Sequence, residues 1–330
     1  MARLLALQSA VWLDWPLEEL AQKANEWGYT ALELACAGDH FLPGRADSEP
    51  DYGQKLLTTL EQNELRLSAL SVHGLGQVIG DELDARHEAL VPDYVWGDGE
   101  PASVKARAAA ELRTIFRLAQ KLGVSLIVGS MGSPLTRWQF DDPPATPQQV
   151  QQALAAWAES WRPLLEAARQ HGLRFALEAR PGQIAYDLLS AERLLRAVDG
   201  MEALGFAFCP AHFHWQGLDP CEFARAFPDR LFQVTLRDAA VTLTGRNSIL
   251  SAHLPPGDGR RGWSYRLVGR GGIDWEALVR TLNEIGCHVV WSVNAADPGM
   301  ERDFAAAEAA SFARRLDFPC MNGGDAAFGD

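Results

Sequence analysis

Glu178 ends the apolar run RFAL, and His212 stands three residues after Cys209, which ends the run GFAF. A carboxylate and an imidazole held together can move a proton, provided burial tunes their affinities apart. Glu178 is the candidate base, and His212 or His253 the candidate acid. Glu178 can alternatively form an ion pair with Arg180 or Arg237. Other residues that can meet a ligand stand at the ends of similar runs: His73, Thr235, Asp238 and Asn294. Cys209 is either one more of these or a small buried hydrophobe. Arg260 and Arg261 carry planar forks that match a carboxylate or phosphate, or else they cap a loop. Trp215 and Trp263 offer faces for a sugar or aromatic ligand, or serve as loop anchors.

These residues need a frame that holds strand ends side by side. The chain alternates short apolar runs with longer amphipathic stretches. RLLALQ, ALELA, RLSALSV, SLIVGS, RFALEA, GFAFC, LFQVTL and CHVVWSV give eight strands. Each is followed by a helical pattern, among them Pro16 to Trp27, DYGQKLLTTLEQN and finally RDFAAAEAASFARRL. Gly28, Gly123, Gly172 and Gly286 stand where helices must stop before the next strand. Eight βα units in this length predict a closed (β/α)8 TIM barrel, an α/β fold, with strands buried on both faces. An open doubly wound sheet is the alternative, but no GxGxxG follows the first strand. Residues 1–318 are expected to form one domain, with 319–330 as a tail.

Two connections are long: 73–101, containing VPDYVWGDGEP, and 238–272, containing HLPPGDGRRGWSYRLVGRGG. Structureless loops of such length in a compact domain usually serve function. Both follow strands, so they are expected to wall a pocket at the C-terminal face of the barrel.

The bulk composition narrows the partners. Thirty basic against 43 acidic residues give a net charge of -13, which argues against a duplex nucleic-acid binder. No apolar stretch approaches membrane-spanning length. The five cysteines are spread out and show no CxxC pair, which points to a cytoplasmic protein. The expected partner is a small sugar-like molecule.

Several stretches together resemble a known family: ELACAGDHF, VWGDGEP, RFALEARPGQIAYD, HWQGLDP, LRDAAVTLTGR, HLPPGDGRRGW and RLDFP. The chain resembles the xylose-isomerase-like TIM barrels, a family of sugar phosphate isomerases and epimerases. The resemblance implies a divalent metal held by Glu, Asp, His and Glu from strands five to eight. Glu178 matches the first ligand. Cys209 stands at the Asp position, Thr235 at the His position and Asn294 at the second Glu position. His212, Asp238, His253, Arg260, Arg261 and Trp263 match positions near the substrate. Mn or Mg wants several oxygen ligands, so three replacements predict that the family metal is absent and that no cofactor takes its place. Cys209, His212 and Glu178 are donor types for zinc, but a zinc site needs a defined ligand set that this spacing alone does not supply.

The expectation is therefore an isomerase- or epimerase-like barrel, or a lyase, that works without metal. Its chemistry would be isomerisation, epimerisation or elimination next to a carbonyl of a polyhydroxylated molecule. The alternatives are a non-catalytic partner of an intact homologue and a metal isomerase with displaced ligands. A homo-oligomer, or a hetero-oligomer with such a homologue, is compatible with either.

Overall fold

Every apolar run named above is a strand in the computed structural model, which describes residues 3–139 and 143–318. In chain order they are β1 (Leu5–Gln8), β2 (Ala31–Ala35), β3 (Arg66–Ser71), β4 (Leu126–Gly129), β5 (Arg174–Leu177), β6 (Leu204–Phe208) and β7 (Leu231–Leu236). Then follow β8 (Asp238–Val241), β9 (Trp263–Arg266) and β10 (Val290–Val293). β8 and β9 form a separate antiparallel hairpin, and the other strands close into a parallel barrel in the order β1-β10-β7-β6-β5-β4-β3-β2. Helices follow the strands as expected: Leu17–Trp27, Tyr52–Gln62 and Arg302–Leu316 lie within a residue or two of their predicted ends. Gly28 ends the first of these at φ 94°, where its N–H reaches the carbonyls of Ala24 and Asn25.

Side chains alternate along each strand, and that period of two aims the site. In β5, Phe175 and Leu177 face the helices, while Ala176 packs in a small cluster with Ala69, Val128 and Ala207 inside the barrel. Glu178, two residues beyond Ala176, continues the inward row. The same rule carries Gln233, Thr235 and Arg237 inward from β7, and Ser292 and Asn294 from β10.

The 73–101 connection is not structureless, contrary to expectation. It contains helices His73–Gly80 and Asp93–Trp96 and the 3-10 helix Ala85–Leu90. The helix His73–Gly80 lies directly on the end of β4. A Cβ on Gly76 or Gly80 would stand 1.8 Å from the carbonyl oxygen of Ser130 or Met131. Only glycine allows that approach, and the approach fixes His73 at the rim. Trp157 and Trp161, from helix Pro147–Gln170, both donate indole N–H groups to the Met131 carbonyl at 3.0 Å.

The 238–272 connection is likewise ordered at both ends, where β8 pairs with β9. The tail proposed for 319–330 lies outside the described residues. Among the described residues, no helix is long and apolar enough to cross a membrane.

Candidate active site at the mouth of the barrel

Three side chains from three different elements form a hydrogen-bonded line. Glu178 follows β5, His212 lies on the short helix Pro210–His214 after β6, and Tyr265 is on β9. His212 Nε2 lies 2.8 Å from Glu178 Oε1, and the Tyr265 hydroxyl 3.0 Å from His212 Nδ1. All three line a cavity of about 410 Å³ at the C-terminal ends of the strands.

Their electrostatics assign the protons. Burial works against the charge of Glu178, but the hydrogen bond from His212 outweighs it together with the positive charge that can face the carboxylate from His212, His73 and Arg180, the last 3.8 Å away. The carboxyl is held well below its usual range and is ionised. Burial pushes His212 below the usual imidazole value, with Glu178 only partly opposing. The ring is therefore neutral. Its Nε2–H donates to Glu178, and its Nδ1 accepts from Tyr265. Burial raises the Tyr265 phenol, against the pull of Arg237 and Arg180, so the hydroxyl carries its proton.

The surroundings hold this line in place. Asp238 accepts hydrogen bonds from Trp275 Nε1 at 2.8 Å, Gly269 N at 3.2 Å and Ile273 N at 3.3 Å. These bonds tie the start of the hairpin to the chain beyond it. Trp263 stacks flat on Trp215, with ring centres 4.2 Å apart, which braces the hairpin against the His212 segment. Arg261 lies 4.1 Å over the ring of Trp263, and Arg237 lies 3.6 Å over the ring of Tyr265.

Glu33 on β2 also lines the cavity and is buried. It accepts hydrogen bonds from Gln233 at 2.8 Å and Ser292 at 2.7 Å. Burial raises its pKa from 4.5 to about 7; those two hydrogen bonds partly offset the effect, and the Glu178 charge adds to it. The fold thus favours the protonated form. Stability is greatest below the unfolded value and falls as pH climbs through about 7, by about 3 kcal/mol in all. Glu33→Gln should remove that loss. The variant is expected to melt above the parent at about pH 8 and close to it at about pH 5. A variant that melts below the parent at the higher pH would contradict this account.

The structure brings together part of the residue set expected from sequence. Glu178, His212, His73, Arg261 and Asn294 line the one cavity. His253 and Arg260 do not: both are exposed on the 242–262 loop, and Arg260 pairs with Asp258 at 2.6 Å. His253 is thus not placed as an acid partner of Glu178. Asp238, Trp215 and Trp263 are buried braces rather than ligand faces. Cys209 is buried against Trp215 and Trp263, and burial raises its thiol far from a thiolate. Thr235 is buried, and its hydroxyl has no partner among the described residues. Glu33, Gln8, Arg237 and Tyr265 are cavity residues absent from the sequence-derived set. Glu33 carried a signal, as the lone charge in an apolar strand. Tyr265 carried none, because the hairpin register that places it is not visible in the sequence.

The four positions that the resemblance assigns to metal do not fit a divalent ion. Glu178 is committed to His212, and Asn294 donates to Gln8 at 2.9 Å. Cys209 and Thr235 offer a protonated thiol and a neutral hydroxyl. Among the described residues, no group of three or more His, Cys, Asp or Glu side chains could hold a metal ion.

Solved structures share the barrel at low identity. The 3-keto-D-glucoside 4-epimerase YcjR from E. coli aligns at a TM-score of 0.64 with 13% identity, over 95% of this chain and 99% of that one. D-psicose 3-epimerase from Clostridium cellulolyticum H10 aligns at 0.62 with 16% identity, over 97% and 100%. The probable 3-DHS dehydratase AsbF from Bacillus anthracis aligns at 0.64 with 14% identity, over 93% and 97%. No curated protein sequence matches the chain. The profile of the xylose isomerase-like TIM barrel matches residues 21–316, and the chain belongs to that family.

Proposed function

We propose that the protein is a metal-independent acid–base enzyme acting next to a carbonyl of a polyhydroxylated small molecule. The observation that carries this is the line Tyr265–His212–Glu178, with distances of 3.0 and 2.8 Å. It has the logic of a nucleophile–base–orienter triad, with a phenol in the first place. The Tyr265 oxygen takes a proton from the substrate as its own proton passes to His212 Nδ1. Glu178 stabilises the imidazolium so formed and fixes the tautomer that receives it. The reverse movement returns the proton, to the same carbon or to a neighbouring oxygen. Glu178 is thus the orienting anion and Tyr265 the group that meets the substrate. His73, kept neutral by burial, faces the same cavity and offers a second proton-handling group.

The small-molecule sugar chemistry of the structural neighbours supports the substrate class, and the lack of fit at the metal positions supports a metal-free route. The reaction class is isomerisation, epimerisation or elimination. The test is hydrogen exchange: chelated protein should exchange a carbon-bound hydrogen of such a substrate with D2O as fast as untreated protein. Absence of exchange across sugars, keto-sugars and sugar acids would favour a non-catalytic partner of an intact homologue.

A further inference from the structure

Two chambers meet at the rim of the barrel, sharing His73 and Arg180. The larger, of about 640 Å³, holds charges that already have partners. Arg86 pairs with Asp84 at 2.6 Å, Arg137 with Glu82 at 2.7 Å and His87 with Asp81 at 3.0 Å. The smaller chamber, of about 410 Å³, is different. Arg180, Arg237 and Arg261 line it, and their positive charges are poorly met. Arg237 makes no hydrogen bond or ion pair among the described residues, and its Nε is buried without a partner. Arg261 is 8% exposed, and its Nε is also buried and unpartnered. Among the described residues its side chain makes one hydrogen bond, from Nη1 to the Leu254 carbonyl at 3.3 Å. Arg180 approaches Glu178 only to 3.8 Å.

Arginine stays charged in any protein setting. The balancing anions in this chamber are Glu178 and Glu33. Even with both ionised, one positive charge is left over. A bound anion would meet the leftover charge and offset the cost of the two buried, unpartnered Nε groups. We propose that the substrate is a carboxylate-bearing polyhydroxylated molecule, a sugar acid, whose carboxylate is held by Arg237 with Arg180 and Arg261. This rests on the acid–base reading above and narrows its substrate.

Placement favours a carboxylate over a phosphate ester. The cations flank the proton-handling groups: Arg237 lies over Tyr265 and Arg180 beside Glu178. A phosphate at the far end of a sugar would draw them away from the reacting carbon. A carboxylate attached to that carbon puts the charge where removal of the proton builds it. The guanidinium groups then do electrostatically what a cation does at a developing oxyanion.

The test is calorimetric titration of the full chain with D-gluconate, neutral D-glucitol and D-glucitol 6-phosphate, followed by D2O exchange with whichever probe binds. D-gluconate should bind at least about tenfold more tightly than D-glucitol, and Arg237→Met should weaken it by about tenfold to a hundredfold. Arg260→Met, on the exposed loop, should leave its binding unchanged. Equal or tighter binding of D-glucitol overturns the proposal, as does a preference for the phosphate ester. So does failure of D-gluconate to bind, or its full retention by the Arg237 variant. Binding that depends on Arg237 but gives no exchange upholds the anion site and counts against the acid–base reading, so the two fail separately.

Discussion

Tyr265→Phe is expected to lower turnover on the order of a hundredfold or more while leaving KM nearly unchanged. The change deletes one oxygen. The ring keeps its place between Arg237 and Trp263, so ligand binding should survive. His212 Nδ1 loses the only donor it has among the described residues, at a cost of about 1–3 kcal/mol of stability. Turnover fails because no hydroxyl remains to pass a proton to the imidazole. A variant that keeps full activity removes Tyr265 from the mechanism. One that loses binding and turnover in proportion marks it as a wall of the cavity only. Steady-state kinetics with a melting curve separate these results.

Glu178→Gln should have a similar or larger effect by a different route. The glutamine keeps the shape of the side chain but brings no charge to stabilise an imidazolium. It also presents an amide that can turn its N–H2 toward His212 and favour the other tautomer. Turnover is expected to fall by about a hundredfold to ten-thousandfold with the fold intact. The stability change has a sign that can be checked. The folded carboxyl lies below its ordinary 4.5, so the charge stabilises the fold above that value, and this contribution is lost as pH falls through the folded value. The variant should therefore be the less stable form near neutrality. Removing the Glu178 charge should also lower the pKa of Glu33, since that charge helps to raise it. Titration of Glu33 by NMR in parent and variant reads this directly. An unchanged Glu33, or a variant with undiminished turnover, contradicts the arrangement.

The barrel was legible because each strand is a short apolar run bounded by turn residues, and each helix has a full amphipathic pattern. ALELA and GFAFC were sufficient in themselves. Glu178, His212, His73 and Asn294 could be placed because a strand-end position in a barrel defines one face. What sequence did not show was pairing between distant segments. Asp238 looked like a ligand residue, yet it is consumed by three backbone N–H groups and the Trp275 indole. Trp215 and Trp263 looked like sugar platforms, yet they stack on each other. Tyr265 lay within a stretch taken as loop, and only the register Ala239 to Tyr265 turns it toward His212. Arg237 was considered only as a partner for Glu178. Counting two residues at a time from Gln233 through Thr235 would have put it in the cavity.

The central claim is that proton transfer here runs through Tyr265, His212 and Glu178 without a divalent metal. Its most direct test is deuterium incorporation from D2O into a bound sugar acid, followed by NMR before and after exhaustive chelation, with the metal content of the same samples determined by mass spectrometry. The account predicts equal exchange rates in both samples and far less than one metal per chain. Exchange that disappears on chelation and returns with stoichiometric Mn or Mg would contradict it.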